Sequence, residues 1–245
     1  MSSISSEHYA LIPLPTNPVL TSLEEDPQAL FATDMALIHN VFIRGLNSMW
    51  RNAPLVKPGD EYGFAGYCLA CIDAIHGHHH GEELFIFPFL QTKLNMAHNL
   101  EQHEAFHASM DAFQDYMKKV QLKKEPYDGA KARELVEAFA NDLSQHLHDE
   151  IDTISPECMK AFDDDKEGMD KMLKALEQHI KAQPGKLTVF PFVVTHHNPK
   201  EAPRWPPAPA AIKWFARNIA PWRHPSYWKF SPFTTSGVPQ TYESA

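Results

Sequence analysis

The sequence predicts an all-α protein: a four-helix bundle, a fifth helix, and a tail rich in proline and tryptophan. Apolar residues recur at alternating spacings of three and four along four long segments. Prolines and Pro-Gly pairs separate those segments. Two of the four also share a pattern, a histidine, a glutamate four residues on, and a proline six residues after the glutamate.

Residues 1–26 read as an N-terminal extension. Asp26-Pro27 has the character of an N-cap followed by proline in the first turn, so the first helix spans about 27–52 and ends before Pro54 and Pro58-Gly59. Its inward stripe is Met35, His39, Phe42, Leu46 and Met49. The second helix, about 60–92, carries Phe64, Cys68, Cys71, Ile75, His78, Glu82, Phe85 and Phe89. A parallel stripe through Ala65, Leu69, Ile72, His76, His79, Glu83 and Ile86 leaves His79 with Glu83 open as an alternative register. The third helix, about 95–124, shows Met96, Leu100, His103, His107, Met110 and Met117 before Glu125-Pro126. The fourth starts at Asp128-Gly129 and carries Val136, Phe139, Leu143, His146 and Glu150.

Superposing the second and fourth helices on Pro88 and Pro156 places Cys68 on Val136, Cys71 on Phe139, Ile75 on Leu143, His78 on His146 and Glu82 on Glu150. The first and third align similarly, His39 on His107 and Met49 on Met117. The pattern is that of a diverged helical-hairpin duplication, with ligand groups placed about a pseudo-twofold. The bundle thus covers 27–156, with Ser155-Pro156-Glu157 able to cap a short further turn. Met169, Met172, Leu173, Leu176 and Ile180 mark a fifth helix within 157–184, expected outside the bundle.

The segment 185–245 forms the C-terminal extension, and the tail from Pro184 onward holds eleven of the twenty prolines and four of the five tryptophans, too much aromatic surface for a free coil. It is expected to pack on the bundle, with a short helix near 210–218. His196 and His197 are expected at the surface.

A formal charge of -9, a pI near 5.9 and no long Lys/Arg block argue against a nucleic-acid partner. No apolar run reaches membrane-spanning length and the N-terminus lacks a signal-peptide pattern, so a cytoplasmic protein without a membrane partner is expected. Cys68 and Cys71 form a C-x-x-C, but both lie on the apolar stripe and are expected to pack as small hydrophobes.

The inward polar groups are His39, His78, Glu82, His103, His107, His146 and Glu150. Five imidazoles and two carboxylates at one level of a core are unsatisfied without a cation. Two octahedral ions bridged by the carboxylates would use all seven and keep a position open. His103-Glu104-Ala105-Phe106-His107 also fits the H-E-x-x-H of zinc proteases, but no strand pattern lies near it.

With a lone histidine on the first helix, H-x-x-x-E on the second and fourth and H-x-x-x-H on the third, residues 27–156 resemble the hemerythrin-like (HHE cation-binding) family. The resemblance implies an up-down-up-down bundle around two iron ions, a non-haem, oxo- or hydroxo-bridged di-iron centre. Glu82 and Glu150 would bridge, and the five histidines would be terminal ligands. Imidazole and carboxylate donors also accept Mn or Zn. The four-residue spacing from His146 to Glu150 follows the HHE branch, whereas oxygen-carrying hemerythrins use five residues and an aspartate. The expected activity is binding or sensing O2, NO or peroxide, or handling iron. Alternatives are a di-iron oxidase, oxygenase, peroxidase or lyase acting on a small substrate, and a metal-stabilised interaction module.

Overall fold

The computed structural model describes residues 7–15 and 27–244. The regular elements among them are helical; the only β feature there is an isolated antiparallel bridge between Phe233 and Pro239. The first long helix, α1, runs Pro27–Asn52, with proline in its first turn as expected. The Asp26 cap proposed for it lies outside the described residues. α2 spans Glu61–Gly81, passes without a break into a π-turn at Glu82–Ile86, and resumes as α3, Phe87–Leu90. α4 is Ala97–Gln121 and α5 is Gly129–Thr153, where Asp128 accepts hydrogen bonds from the Ala130 and Lys131 amides and so caps two orphan donors.

These long helices form a helical bundle in which α5 packs on α1 and α4, and α4 on α2. Their buried faces follow the predicted stripes in α1, α2 and α5. In α4 the buried residues are Asn99, His103, Phe106, Met110, Phe113, Met117 and Val120, so that Phe106 occupies the inward position expected for His107. Strict alternation of four and three passes through Phe106 and leaves His107 on the flank.

Beyond the bundle, Ser155 caps the one-turn helix α6, Pro156–Met159, and α7, Lys166–Ala182, packs over the π-turn and α2. Next comes α8, Val189–His196, a helix the proline content had argued against. Pro191 is tolerated because it sits in the first turn, where its missing N–H would have no intrahelical partner. The strongly apolar α8 lies against α1 and α2 and covers a second face of α2. At the contact, a Cβ on Gly45 would come within 2.8 Å of the Cys71 sulfur and 2.9 Å of the Phe192 ring, so glycine sets the approach.

His196 and His197 are therefore buried, contrary to the surface placement expected from sequence. His196 Nδ1 is 2.8 Å from the Phe192 carbonyl and Nε2 2.7 Å from the Tyr67 hydroxyl, while His197 Nε2 is 2.9 Å from the Ala202 carbonyl. Of these partners Tyr67, on α2, is one that only the folded chain brings near, while Phe192 and Ala202 are local. Arg44 binds both oxygens of Glu201 at 2.7 Å and ties α1 to the same region.

The helix expected near 210–218 is α9, Ala210–Asn218. Further on, Tyr227, Trp228 and Phe230 are buried, and a Cβ on Gly66 would meet the Tyr227 ring at 2.0 Å. Only a glycine on α2 admits that ring. At the other end of the chain, Asn40 and Asn47, seven residues apart on one face of α1, each pair with both backbone groups of one residue. Asn47 holds Tyr9 at 2.9 and 2.8 Å, and Asn40 holds Ile12 at 2.8 and 2.9 Å. Among the described residues no helix is long and apolar enough to cross a membrane.

Candidate metal centre

Four helices send histidines and carboxylates to one buried level. His39 comes from α1, His78 and His79 from α2, Glu82 from the start of the π-turn, His103 from α4, and His146 and Glu150 from α5. His39, His79, Glu82, His103, His146 and Glu150 are all buried, and His78 is nearly so. A π-turn widens the helix by one residue per turn and recurs at functional sites. Here it begins at Glu82, three residues after His79.

Three rings are held by their outer nitrogen. His39 Nδ1 lies 2.8 Å from the Leu147 carbonyl, His103 Nδ1 2.8 Å from Glu83 Oε1, and His146 Nδ1 3.2 Å from Gln102 Oε1. An acceptor at Nδ1 fixes the tautomer that carries the proton there and leaves Nε2 with its lone pair. Those Nε2 atoms converge. His103 Nε2 and His146 Nε2 are 3.0 Å apart, and His39 Nε2 is 3.1 Å from His78 Nε2.

The carboxylates stand between these pairs. Glu82 approaches His78 Nε2 at 2.8 Å through one oxygen and His103 Nε2 at 3.7 Å through the other. Glu150 Oε2 lies 3.3 Å from His39 Nε2 and 3.7 Å from His146 Nε2. Two sets of donors are close enough to share an ion: His79, Glu82, His103 and His146 form one, and His39, His78 and Glu82 the other, with Glu82 common to both.

Burial dominates the electrostatics. It pushes His146 down to about 3, His78 to about 4, and His79 well below the usual imidazole range, the last with help from the neighbouring rings of His103, His78, His146 and His39. Glu82 is pushed well above the carboxylate range by burial and by Glu150. Burial opposes ionisation of Glu150 as well, but the His39 imidazole and the other rings outweigh it and bring Glu150 down to about 2. Burial thus favours the neutral, metal-ligating form of His78, His79 and His146.

Both oxygens of Glu82, both of Glu150 and both ring nitrogens of His79 are sealed from solvent without a well-formed hydrogen bond. Leaving a charge so placed costs on the order of several kcal/mol. A pair of cations would satisfy these atoms, so the residues present fit a metal centre.

Of the seven residues proposed from sequence, the structure brings together His39, His78, Glu82, His103, His146 and Glu150. His107 does not join them. Its ring stacks on Phe106 and faces His76 at a centroid distance of 5.7 Å, on the outer side of α4. The fifth imidazole of the cluster is instead His79, 4.3 Å from the His103 ring. Both registers left open on α2 are thus used, since Glu82 faces the cluster and Glu83 holds His103 from outside. The sequence signal was the second stripe of α2, whose Ala65 and Ile72 are fully buried. Gln102, which is itself bonded to Asp149 at 2.7 Å, carried no such signal. The H-E-x-x-H reading finds no support, because His103 faces inward, His107 outward, and Glu104 solvent.

Beside the cluster lies a cleft of about 480 Å3 whose wall includes His76, His80, Glu83 and His107 from the bundle and Gln183, Pro184 and Val189 from the segment entering α8. None of the tail tryptophans lines it. Cys68 and Cys71 are free, buried thiols with pKa values raised by burial, as the packing reading expects.

The hemerythrin HHE cation binding domain profile matches residues 33–158, a span that contains every residue of the cluster. The chain is also 28% identical over 249 aligned positions to the "Dimeric xanthone biosynthesis cluster protein R11" of Cryptosporiopsis sp. (strain 8999), with 91% of this chain and 88% of that protein covered. No solved structure matches.

Proposed function

Because the chain belongs to the hemerythrin HHE cation-binding domain family, we propose that it is a non-haem di-iron protein that binds or senses a small ligand such as O2, NO or peroxide. We read its four long helices as the family's up-down-up-down bundle, with the C-terminal extension laid against it. The observation that carries the reading is the shared Glu82, which belongs to two donor sets at once. Glu150 is placed in the same way, reaching His39 of one set and His146 of the other. Two carboxylates between two groups of imidazoles suit a bridged pair of ions better than a single tetrahedral one.

Bound iron would supply a redox-active centre with a coordination position open to a small ligand. The chain supplies the rest. Leu147, Glu83 and Gln102 hold three ring tautomers, and Phe42, Phe106, Met110 and Phe139, all buried, keep bulk water away. Metal analysis of the aerobically purified protein should find two ions per chain, and a near-ultraviolet to visible band should disappear reversibly when O2 is removed. An iron content near zero after reconstitution, or a colourless loaded protein, would end this reading. Two ions of Mn or Zn would keep the centre and change its chemistry.

A second reading is favoured by the relative, whose name places it in a biosynthesis cluster, together with the cleft beside the metal level. On that reading the centre is an oxidase, oxygenase, peroxidase or lyase acting on a small organic substrate. Perturbation of the band by a phenolic compound under anaerobic conditions would support it; a band that no organic compound shifts would favour simple ligand binding.

A further inference from the structure

α9 is amphipathic, but its orientation is the reverse of what a surface helix adopts. Such helices bury their apolar stripe. In α9, Ala216 is buried and the cationic Lys213 and Arg217 are half-buried on the inward side, while Ile212, Trp214 and Ile219 stand outward at 42%, 60% and 47% exposure. Trp222, whose amide donates to the Ile219 carbonyl at 3.1 Å, follows in the turn that closes the helix and is 80% exposed. Of the twelve large apolar side chains exposed among the described residues, these four fall within eleven positions, so they form a patch rather than scatter. The patch is held in place, since α9 packs on α8, Ala220 and Pro221 are buried beneath the turn, and Lys213 Nζ donates to the Arg204 carbonyl at 2.5 Å.

The charge around it has one sign. No aspartate or glutamate occurs between Glu201 and Glu243, a stretch that carries Arg204, Lys213, Arg217, Arg223 and Lys229 in a chain of net charge -9. Lys229 pairs with Asp60, and none of the other four has a carboxylate at ion-pair distance among the described residues. We propose that this face docks the protein on an anionic phospholipid membrane surface, with α9 lying in the plane of the headgroups. Aliphatic and tryptophan side chains flanked by Lys and Arg suit that interface. The indole ring reaches the acyl boundary while its N–H stays among polar headgroups, and the cations meet the lipid phosphates. A second copy of the chain suits the face less well, because isologous pairing would set four cations against the same four. The contact lies on the membrane and does not cross it, so the lack of a spanning helix does not oppose it. It is also independent of what the buried centre binds.

The test uses the full chain as purified, sedimented with vesicles of phosphatidylcholine alone and of phosphatidylcholine mixed equally with phosphatidylserine. The mixed vesicles should carry down several-fold more protein than the neutral ones, with a blue shift of the tryptophan emission. That excess should vanish as salt rises from about 0.1 to about 1 M and the screening length shortens from ~10 to ~3 Å. Trp214→Ala with Trp222→Ala should cut binding to the level of the neutral vesicles and remove the blue shift, and Arg204→Glu with Arg223→Glu should remove the preference for phosphatidylserine. All four side chains are exposed, so the circular dichroism and metal content of both double variants should match the parent. Equal sedimentation of the parent with both kinds of vesicle, sedimentation with neither, or a tryptophan variant that binds like the parent would overturn the proposal. So would a parent that ignores vesicles but forms a concentration-dependent dimer that the tryptophan variant dissolves, which would give the face to a second copy.

Discussion

The buried cluster and the outer cleft are built from the same residue types and share α2 and α4, sometimes drawing on adjacent residues. His79 is in the cluster and His80 in the cleft; His103 is in the cluster and His107, one turn on, is in the cleft. What separates them is the fixing of the ring and its access to water. In the cluster, the outer nitrogen of His39, His103 and His146 is held by Leu147, Glu83 or Gln102, and the inner nitrogens meet at about van der Waals distance or closer. In the cleft, the rings of His76 and His107 face each other at 5.7 Å and the partly exposed His76 reaches Asp111 at its edge. A histidine becomes a strong metal ligand through its second partner and its burial, not through its place in a motif.

Several changes would break or sharpen that contrast. The largest effect is expected from Glu82→Gln, which removes the shared anion. For the parent, free metal at ~100 times Kd adds ~2.7 kcal/mol of stability, and at this chain length that raises Tm by about 5–10 °C. The variant should lose most of that rise in calorimetry, while its metal-free form melts no lower than the metal-free parent, because an unsatisfied buried carboxyl has gone. A metal-dependent Tm rise in the variant equal to that of the parent would show that Glu82 bridges nothing.

Next in size is the pair His79→Ala and His107→Ala. The first should cut the affinity of the buried centre by more than the ~10–100-fold typical of changes outside the coordination sphere; the second should leave it unchanged. Competition with a chromophoric chelator measures both, and the opposite ranking would restore His107 to the cluster.

Glu83→Ala and Gln102→Ala free the outer nitrogen of His103 and of His146, respectively. Each should lower buried-metal affinity by ~10–100-fold without lowering the number of ions bound at saturation. Equal affinities in variant and parent would mean that these contacts do not orient the rings.

The smallest effect concerns pH and lies away from both sites. Burial lowers His196 to about 3 from the ordinary 6.5, so between those values the unfolded chain binds a proton that the folded one does not. Stability contributed by this residue is complete above pH 6.5 and declines as pH falls toward 3. In the metal-free protein, Tm should drop across that window, and His196→Gln should make the drop shallower. An unchanged slope would place the acid sensitivity elsewhere.

The amino-acid sequence by itself determined the helices and most of the cluster. Alternating spacing and the breakers at Pro54, Pro126 and Pro184 mark the spans, since an amphipathic helix must repeat near 3.6 and a proline beyond its first turn ends it. The matching His78/Glu82 and His146/Glu150 pairs were legible because an i,i+4 pair lies on one face whatever surrounds it. Local periodicity names a face, but a face is wider than one residue, and the neighbouring helix decides which of two adjacent side chains is inside. That is why His79 replaced His107. Tertiary structure also decided α8 and the burial of His196 and His197, because α8 packs against α1 and α2 and Tyr67 reaches His196 only once the chain has folded.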